Sequence, residues 1–97
     1  MSDLGKAPAV SVVVPVFNEE ANMSILQAEL RSALTGLGYE IIFVDDGSTD
    51  QSAAKIEAAP HVRVLRFEKN AGQSAALFAG LNAARRHHRH HRQRFTK

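Results

Sequence analysis

The chain has 97 residues, 44% of them hydrophobic, which is enough for one small domain. It contains no cysteine, so a disulfide framework and a thiolate metal site are excluded, and a reducing, cytoplasmic location is expected. The net charge of +2 hides an asymmetry, because all ten acidic residues precede residue 85 and half of the twelve Lys and Arg follow residue 84. No apolar run approaches the roughly 20 residues of a membrane-spanning helix, so neither a span nor a signal peptide is expected.

The first half of the sequence predicts one strand followed by one helix. Residues 1–8 are small and polar and are expected to be disordered. The β-branched run Val10–Val16 predicts a buried strand. Asn18 is placed to cap a helix that begins near Glu19, because apolar residues then recur at helical spacing as far as Leu37.

The second half predicts two further strands, each followed by a helix. The segment Glu40–Val44 is a strand that leads into Asp45–Asp50, a run of turn and cap residues. A short helix is predicted over Gln51–Ala58, then a strand over Val62–Phe67. A helix rich in small residues is predicted over Gln73–Ala84.

The resulting β-α-β-α-β-α order predicts an α/β fold, with a parallel sheet joined by right-handed crossovers and covered by helices. The glycine patterns of two common nucleotide sites are absent. No Gly-x-Gly-x-x-Gly follows the first strand, and no Gly-x-x-x-x-Gly-Lys-Ser/Thr occurs in the chain. A dinucleotide-binding Rossmann half and a P-loop are therefore not expected.

Polar clusters follow the first two predicted strands, at residues 15–19 and 45–48. Ligands of open parallel sheets bind outside the carboxyl ends of the strands. Carboxylates there can accept hydrogen bonds from a base or a ribose, and Phe17 can pack on either. Purely structural roles stay open: Asp46 or Asp50 as a helix cap, and Phe17 or Phe43 as core.

Taken in order, three segments resemble the motifs of family 2 glycosyltransferases. They are Val12–Glu20, Tyr39–Asp50 and Asn70–Leu81, and the resemblance covers about residues 9–85. The third segment is most similar to the polyprenyl-phosphate branch, the dolichyl-phosphate-mannose-synthase-like enzymes. The resemblance implies that residues 9–84 form the N-terminal half of a Rossmann-like GT-A nucleotide-binding domain.

The resemblance also implies a nucleoside pocket, with Asn70 and Gly72 at its border. The candidate nucleotide-binding residues are Pro15, Phe17, Glu19, Phe43, Asp45 and Asp46. Enzymes of this family use a nucleotide-sugar donor and a divalent metal, Mg²⁺ or Mn²⁺. A polyprenyl phosphate at the membrane surface is the expected acceptor for the parent enzyme, and no nucleic-acid partner is expected.

The sequence departs from the family after Ala84. The family continues with Gly-Asp, an apolar strand and a metal-binding Asp-x-Asp, whereas residues 85–97 are rich in Arg and His and no acidic residue follows Glu68. No catalytic residue or metal ligand can therefore be named in this chain, which is expected to be inactive. One permitted codon set for residues 85–97, read one base later, encodes Gly-Asp-Ile-Ile-Val-Thr-Ile-Asp-Ser-Asp-Leu-Gln, so we hypothesise a frameshift near codon 85.

Other interpretations of this disordered, basic segment remain open. Its histidines could bind a transition metal, and its arginines could bind RNA or anionic lipid. A designed affinity tag is disfavoured, because arginines interrupt the histidines. The alternatives to an enzyme fragment are a non-catalytic nucleotide-binding module with a cationic tail and an unstable translation product without a role.

Overall fold

The computed structural model describes residues 8–88, with side chains through Arg85. Three parallel strands form one sheet in the order β1-β2-β3: β1 is Val10–Val16, β2 is Tyr39–Asp45 and β3 is Val62–Arg66. Two α-helices cover it, α1 over Met23–Ala33 and α2 over Gln73–His88. The predicted α/β fold with a parallel sheet is confirmed.

The central strand β2 separates two apolar layers, because successive side chains of a strand point to opposite faces. One layer lies on the α1 face and contains the buried residues Val16, Met23, Leu34, Ile41 and Phe43. The other lies on the α2 face and contains Ile42, Val44, Ala76, Ala83 and Ala84. Burial on both faces explains why β2 is a continuous apolar run in the sequence.

Small residues bring α2 close to the sheet. A Cβ atom at Gly80 would lie 2.3 Å from a methyl carbon of Val13 and 3.2 Å from one of Val44. Glycine is therefore required at this crossing, and α2 packs against both β1 and β2. The short distance between α2 and the sheet thus explains why this helix is rich in small residues, as predicted.

The predicted cap at Asn18 is wrong. A 3₁₀ turn, Glu20–Asn22, precedes α1, and Asn18 lies outside both with φ of 51°. Its side-chain oxygen accepts hydrogen bonds from the backbone N–H and the hydroxyl of Thr49, at 2.8 and 3.3 Å. Asn18 thus joins two loops instead of starting a helix.

The predicted helix over Gln51–Ala58 is also wrong, since only Ala53–Lys55 forms a 3₁₀ turn. At the end of this turn and beyond it, the buried amide of Gln27 binds two backbone groups that a continued helix would pair with other backbone groups. Its Nε2 donates to the carbonyl of Lys55 at 2.9 Å, and its Oε1 accepts from the N–H of Glu57 at 2.8 Å. A long-range partner therefore overrides the local helical preference.

The last helix is longer than predicted. It continues to His88, four residues beyond the predicted end at Ala84 and into the segment expected to be disordered. Residues 1–7 and 89–97, which include most of the two segments predicted to be disordered, lie outside the described residues. Across residues 8–88, no helix has the length and apolar character needed to cross a membrane.

Candidate functional site

An open cleft of about 430 Å³ lies between the carboxyl end of β1 and the start of α2. Its lining comes from all three sequence segments singled out above: Pro15, Val16, Phe17, Glu19, Asp46, Asn70, Gly72 and Gln73. The volume lies within the range of small-molecule sites. The position is the one expected for a ligand of an open parallel sheet.

The wall that follows β1 offers an aromatic ring and a carboxylate. Phe17 lines the cleft although its side chain is 44% exposed, so the ring is available for stacking on a planar ligand. Glu19 lies beside it, and its Oε1 accepts a hydrogen bond from the side-chain amide of Asn22 at 3.1 Å.

Asp46 forms the floor of the cleft, and its carboxylate is engaged by protein N–H groups. Oδ1 accepts from the backbone N–H of Ala71 at 2.7 Å, and Oδ2 accepts from that of Gly72 and from Asn70 Nδ2, both at 3.0 Å. A carboxylate offers about four acceptor positions, and three are used here. Asp46 therefore holds the loop that precedes α2 in place against the end of β2.

Gly47 permits this close approach of the two loops. Its φ is 75°, and a Cβ atom there would lie 2.4 Å from the backbone nitrogen of Asn70 and 2.5 Å from the carbonyl carbon of Lys69. Any side chain at this position would push the loop before α2 away from Asp46.

Two predicted residues, Asp45 and Phe43, lie away from the cleft on the α1 side of the sheet. Asp45 is 1% exposed. Its carboxylate accepts from the N–H of Ser48 at 3.2 Å and lies 3.5 Å from Arg66 Nε. Phe43 is also 1% exposed and packs in the core. It lines a separate cavity of about 90 Å³, beside Gln27.

Comparison with known proteins identifies the family. The sequence profile described as Glycosyl transferase family 2 matches residues 11–87, which include the cleft and all three motifs.

The chain belongs to glycosyl transferase family 2.

Several curated relatives of this family 2 chain are named undecaprenyl-phosphate 4-deoxy-4-formamido-L-arabinose transferase. The Yersinia enterocolitica protein is 40% identical over 89 residues, covering 84% of this chain and 27% of the relative. The Proteus mirabilis protein is 41% identical over 91 residues, covering 87% and 28%. The chain thus spans about a quarter of these relatives' length. The predicted resemblance to family 2 and its polyprenyl-phosphate branch is confirmed.

The structure of this family 2 chain brings together four of the six candidate residues, namely Pro15, Phe17, Glu19 and Asp46. Asn70 and Gly72 also lie at the cleft, as the resemblance implied. Gln73 was not predicted. It is the first residue of α2, and a helix start beside the carboxyl edge of a parallel sheet is the signal that could have identified it.

The described part of this family 2 chain does not provide a metal site. Among the described side chains, those of residues 8–85, no group of three or more His, Asp or Glu is placed to hold a metal ion. The two adjacent carboxylates do not fit the role, because Asp46 is bound by three N–H donors and Asp45 by Ser48 and Arg66. No metal-dependent step is assigned to these residues.

Proposed function

We propose that this chain is the nucleotide-binding portion of a glycosyltransferase that transfers a sugar from a nucleotide-sugar donor to a polyprenyl phosphate. The cleft at the end of β1 supports this proposal, because it gathers residues from all three family motifs at one carboxyl edge of the sheet. The names of the relatives support undecaprenyl phosphate as the acceptor class.

The chemistry of the cleft suits a nucleoside diphosphate. The exposed ring of Phe17 can stack on a base, and the carboxylate of Glu19 can accept from a ribose hydroxyl. Gln73 marks the first turn of α2, whose N–H groups lack partners within the helix and favour anionic oxygen. The base, the ribose and the diphosphate therefore each have a complementary group.

A matched pair of phenylalanine substitutions tests this assignment. Phe17 lines the cleft, whereas Phe78 lies on α2 and is 68% exposed. We expect Phe17→Ala to weaken diphosphate binding about tenfold or more, the usual loss for one stacked base, and Phe78→Ala to leave it unchanged. Calorimetric titration with the diphosphates of uridine, guanosine and cytidine measures both. Equal affinities for the two variants would contradict the proposal.

We further propose that the chain is inactive and that a frameshift replaced its Asp-x-Asp strand. The family match ends at residue 87, close to the predicted breakpoint at codon 85. Helix α2 packs against β1 and β2, so a right-handed crossover would place the next parallel strand beside β1. A metal-binding Asp-x-Asp at the end of that strand would then lie next to the cleft.

Resequencing the gene from the codon for Gly80 past the stop codon tests the frameshift. We expect the shifted frame to encode Gly-Asp, an apolar strand, Asp-x-Asp and an uninterrupted continuation. Early stop codons in that frame would show that the basic segment is native, and the non-catalytic module with a cationic tail would become the function to test. A location at the cytoplasmic face of a membrane stays a prediction for the parent enzyme.

A further inference from the structure

Three consecutive backbone N–H groups after β1 are bound by side chains of the loop that follows β2. The pairs are Asn18 with Ser48 Oγ at 3.0 Å, Glu19 with Ser52 Oγ at 2.7 Å and Glu20 with Asp50 Oδ2 at 3.2 Å. N–H groups at the start of a helical segment have no partner within it. Here a distant loop supplies the acceptors, about 30 residues along the chain.

Ser52 and Asp50 form the centre of this arrangement. The Ser52 hydroxyl is fully buried, accepts from Glu19 N–H and donates to Asp50 Oδ1 at 2.6 Å. Asp50 Oδ1 also accepts from the backbone N–H of Ser52 at 2.9 Å. The hydrogen bond from the Ser52 hydroxyl lowers the pKa of Asp50 most; partial burial opposes the shift, and backbone N–H groups of Ser52 and Glu20 add to it.

The segment held in this way is strained and lines the cleft. Asn18 adopts φ of 51°, a left-handed conformation that non-glycine residues keep only when their surroundings enforce it. Its neighbours Phe17 and Glu19 both line the cleft, whereas Asp50 and Ser52 do not. The backbone of a cleft wall is therefore fixed by residues that do not line the cleft.

We propose that Asp50 and Ser52 are positioning residues for nucleotide binding, which hold the backbone of Glu19 and Glu20 so that Phe17 and Glu19 face the cleft. This inference rests on the proposed function. Because neither residue lines the cleft, their substitution should change affinity only through the position of the wall.

The test uses the full 97-residue chain, labelled with ¹⁵N, and the nucleoside diphosphate that binds it most tightly among those of uridine, guanosine and cytidine. Ser52→Ala removes the acceptor of Glu19 N–H, and Ser52→Thr restores it. We expect faster hydrogen exchange of the Glu19 amide in Ser52→Ala and about tenfold weaker binding, as for loss of one buried hydrogen bond. Ser52→Thr should recover both, and Ser24→Ala, at an exposed serine of α1, should change neither.

Asp50→Asn is the second variant, in case Ser52→Ala unfolds the chain. An amide can keep one oxygen toward Ser52 but loses the second acceptor toward Glu20 N–H, so Glu20 exchange and affinity should change together. If the variants show accelerated amide exchange but bind the diphosphate with wild-type affinity, the positioning role alone is overturned. An absence of diphosphate binding by the wild-type chain overturns the proposed function and the positioning role with it.

Discussion

At the scale of single residues, the adjacent carboxylates Asp45 and Asp46 have different roles that the sequence pattern does not distinguish. Both lie in the same motif and both are candidate nucleotide-binding residues, although a purely structural role as a helix cap stayed open for Asp46. Strand alternation sends Asp45 toward Arg66 on the α1 side and Asp46 toward the loop before α2. The motif located the carboxyl end of β2. Only the positions of the hydrogen-bond donors on either side of the sheet show that Asp45 lies against Arg66 and that Asp46 holds the loop before α2.

Gly47 gives a prediction with a matched control. We expect Gly47→Ala to lower the free energy of unfolding by about 3 kcal/mol, through both left-handed strain and backbone collision, because its Cβ would lie 2.4 Å from Asn70 N. Gly36→Ala, at φ of 88° with nothing within 4 Å of the new Cβ, should cost only about 1 kcal/mol. Urea denaturation measures both, and equal losses would exclude the loop contact as the cause.

Asp50 predicts a dependence of stability on pH. Its pKa is lowered below the ordinary value of 3.8, chiefly by the hydroxyl of Ser52. An acid with a lowered folded-state pKa stabilises the fold above its ordinary pKa and loses that contribution as pH falls through the folded value. The free energy of unfolding of the wild type should therefore exceed that of Asp50→Asn by a constant amount near neutrality. This difference should shrink below pH 3.8. A difference that grows on acidification would contradict this assignment.

At the scale of elements, strands were predicted well and loops poorly, for a physical reason. The apolar run of β2 follows from its burial on both faces, whereas β1, at one edge of the described sheet, is only half-buried except at Val16, so the predicted buried strand is correct as a strand but not as fully buried. The segment after β2 carries good cap residues but no helix beyond a 3₁₀ turn, because Gln27 and Ser52 form long-range hydrogen bonds with backbone groups. Such partners cannot be inferred from periodicity.

Gln27 tests this explanation. Gln27→Leu places an apolar side chain of similar size in α1 but leaves the Lys55 carbonyl and the Glu57 N–H without their side-chain partner. We expect a loss of about 1–3 kcal/mol in the free energy of unfolding, measured by urea denaturation. Gln51→Leu, at an exposed position, should have little effect. If both variants retain wild-type stability, the Gln27 amide does not hold this segment.

At the scale of the whole molecule, the described chain is a three-stranded sheet with β1 at one end and its cleft at the carboxyl end of β1. In the proposed parent enzyme, a right-handed crossover through α2 would place the next strand on the same side. The proposed site therefore lies where added polypeptide would complete it, consistent with a chain that spans about a quarter of its relatives. The apolar runs and their order predicted the sheet, and the polar clusters after the strands predicted the cleft, whereas the position of Phe43 away from the cleft follows only from its packing in the core on the α1 side.

Chemical-shift mapping of a nucleoside diphosphate on the ¹⁵N-labelled chain tests most directly whether this cleft binds the donor nucleotide. We predict that the largest amide shifts occur at Phe17, Glu19, Asn70 and Gln73, which line the cleft from both sides. Amides around the small cavity beside Phe43, such as those of Ile41 and Val62, should be unaffected. Shifts confined to that second cavity, or no shifts at saturating diphosphate, would contradict the assignment of the cleft.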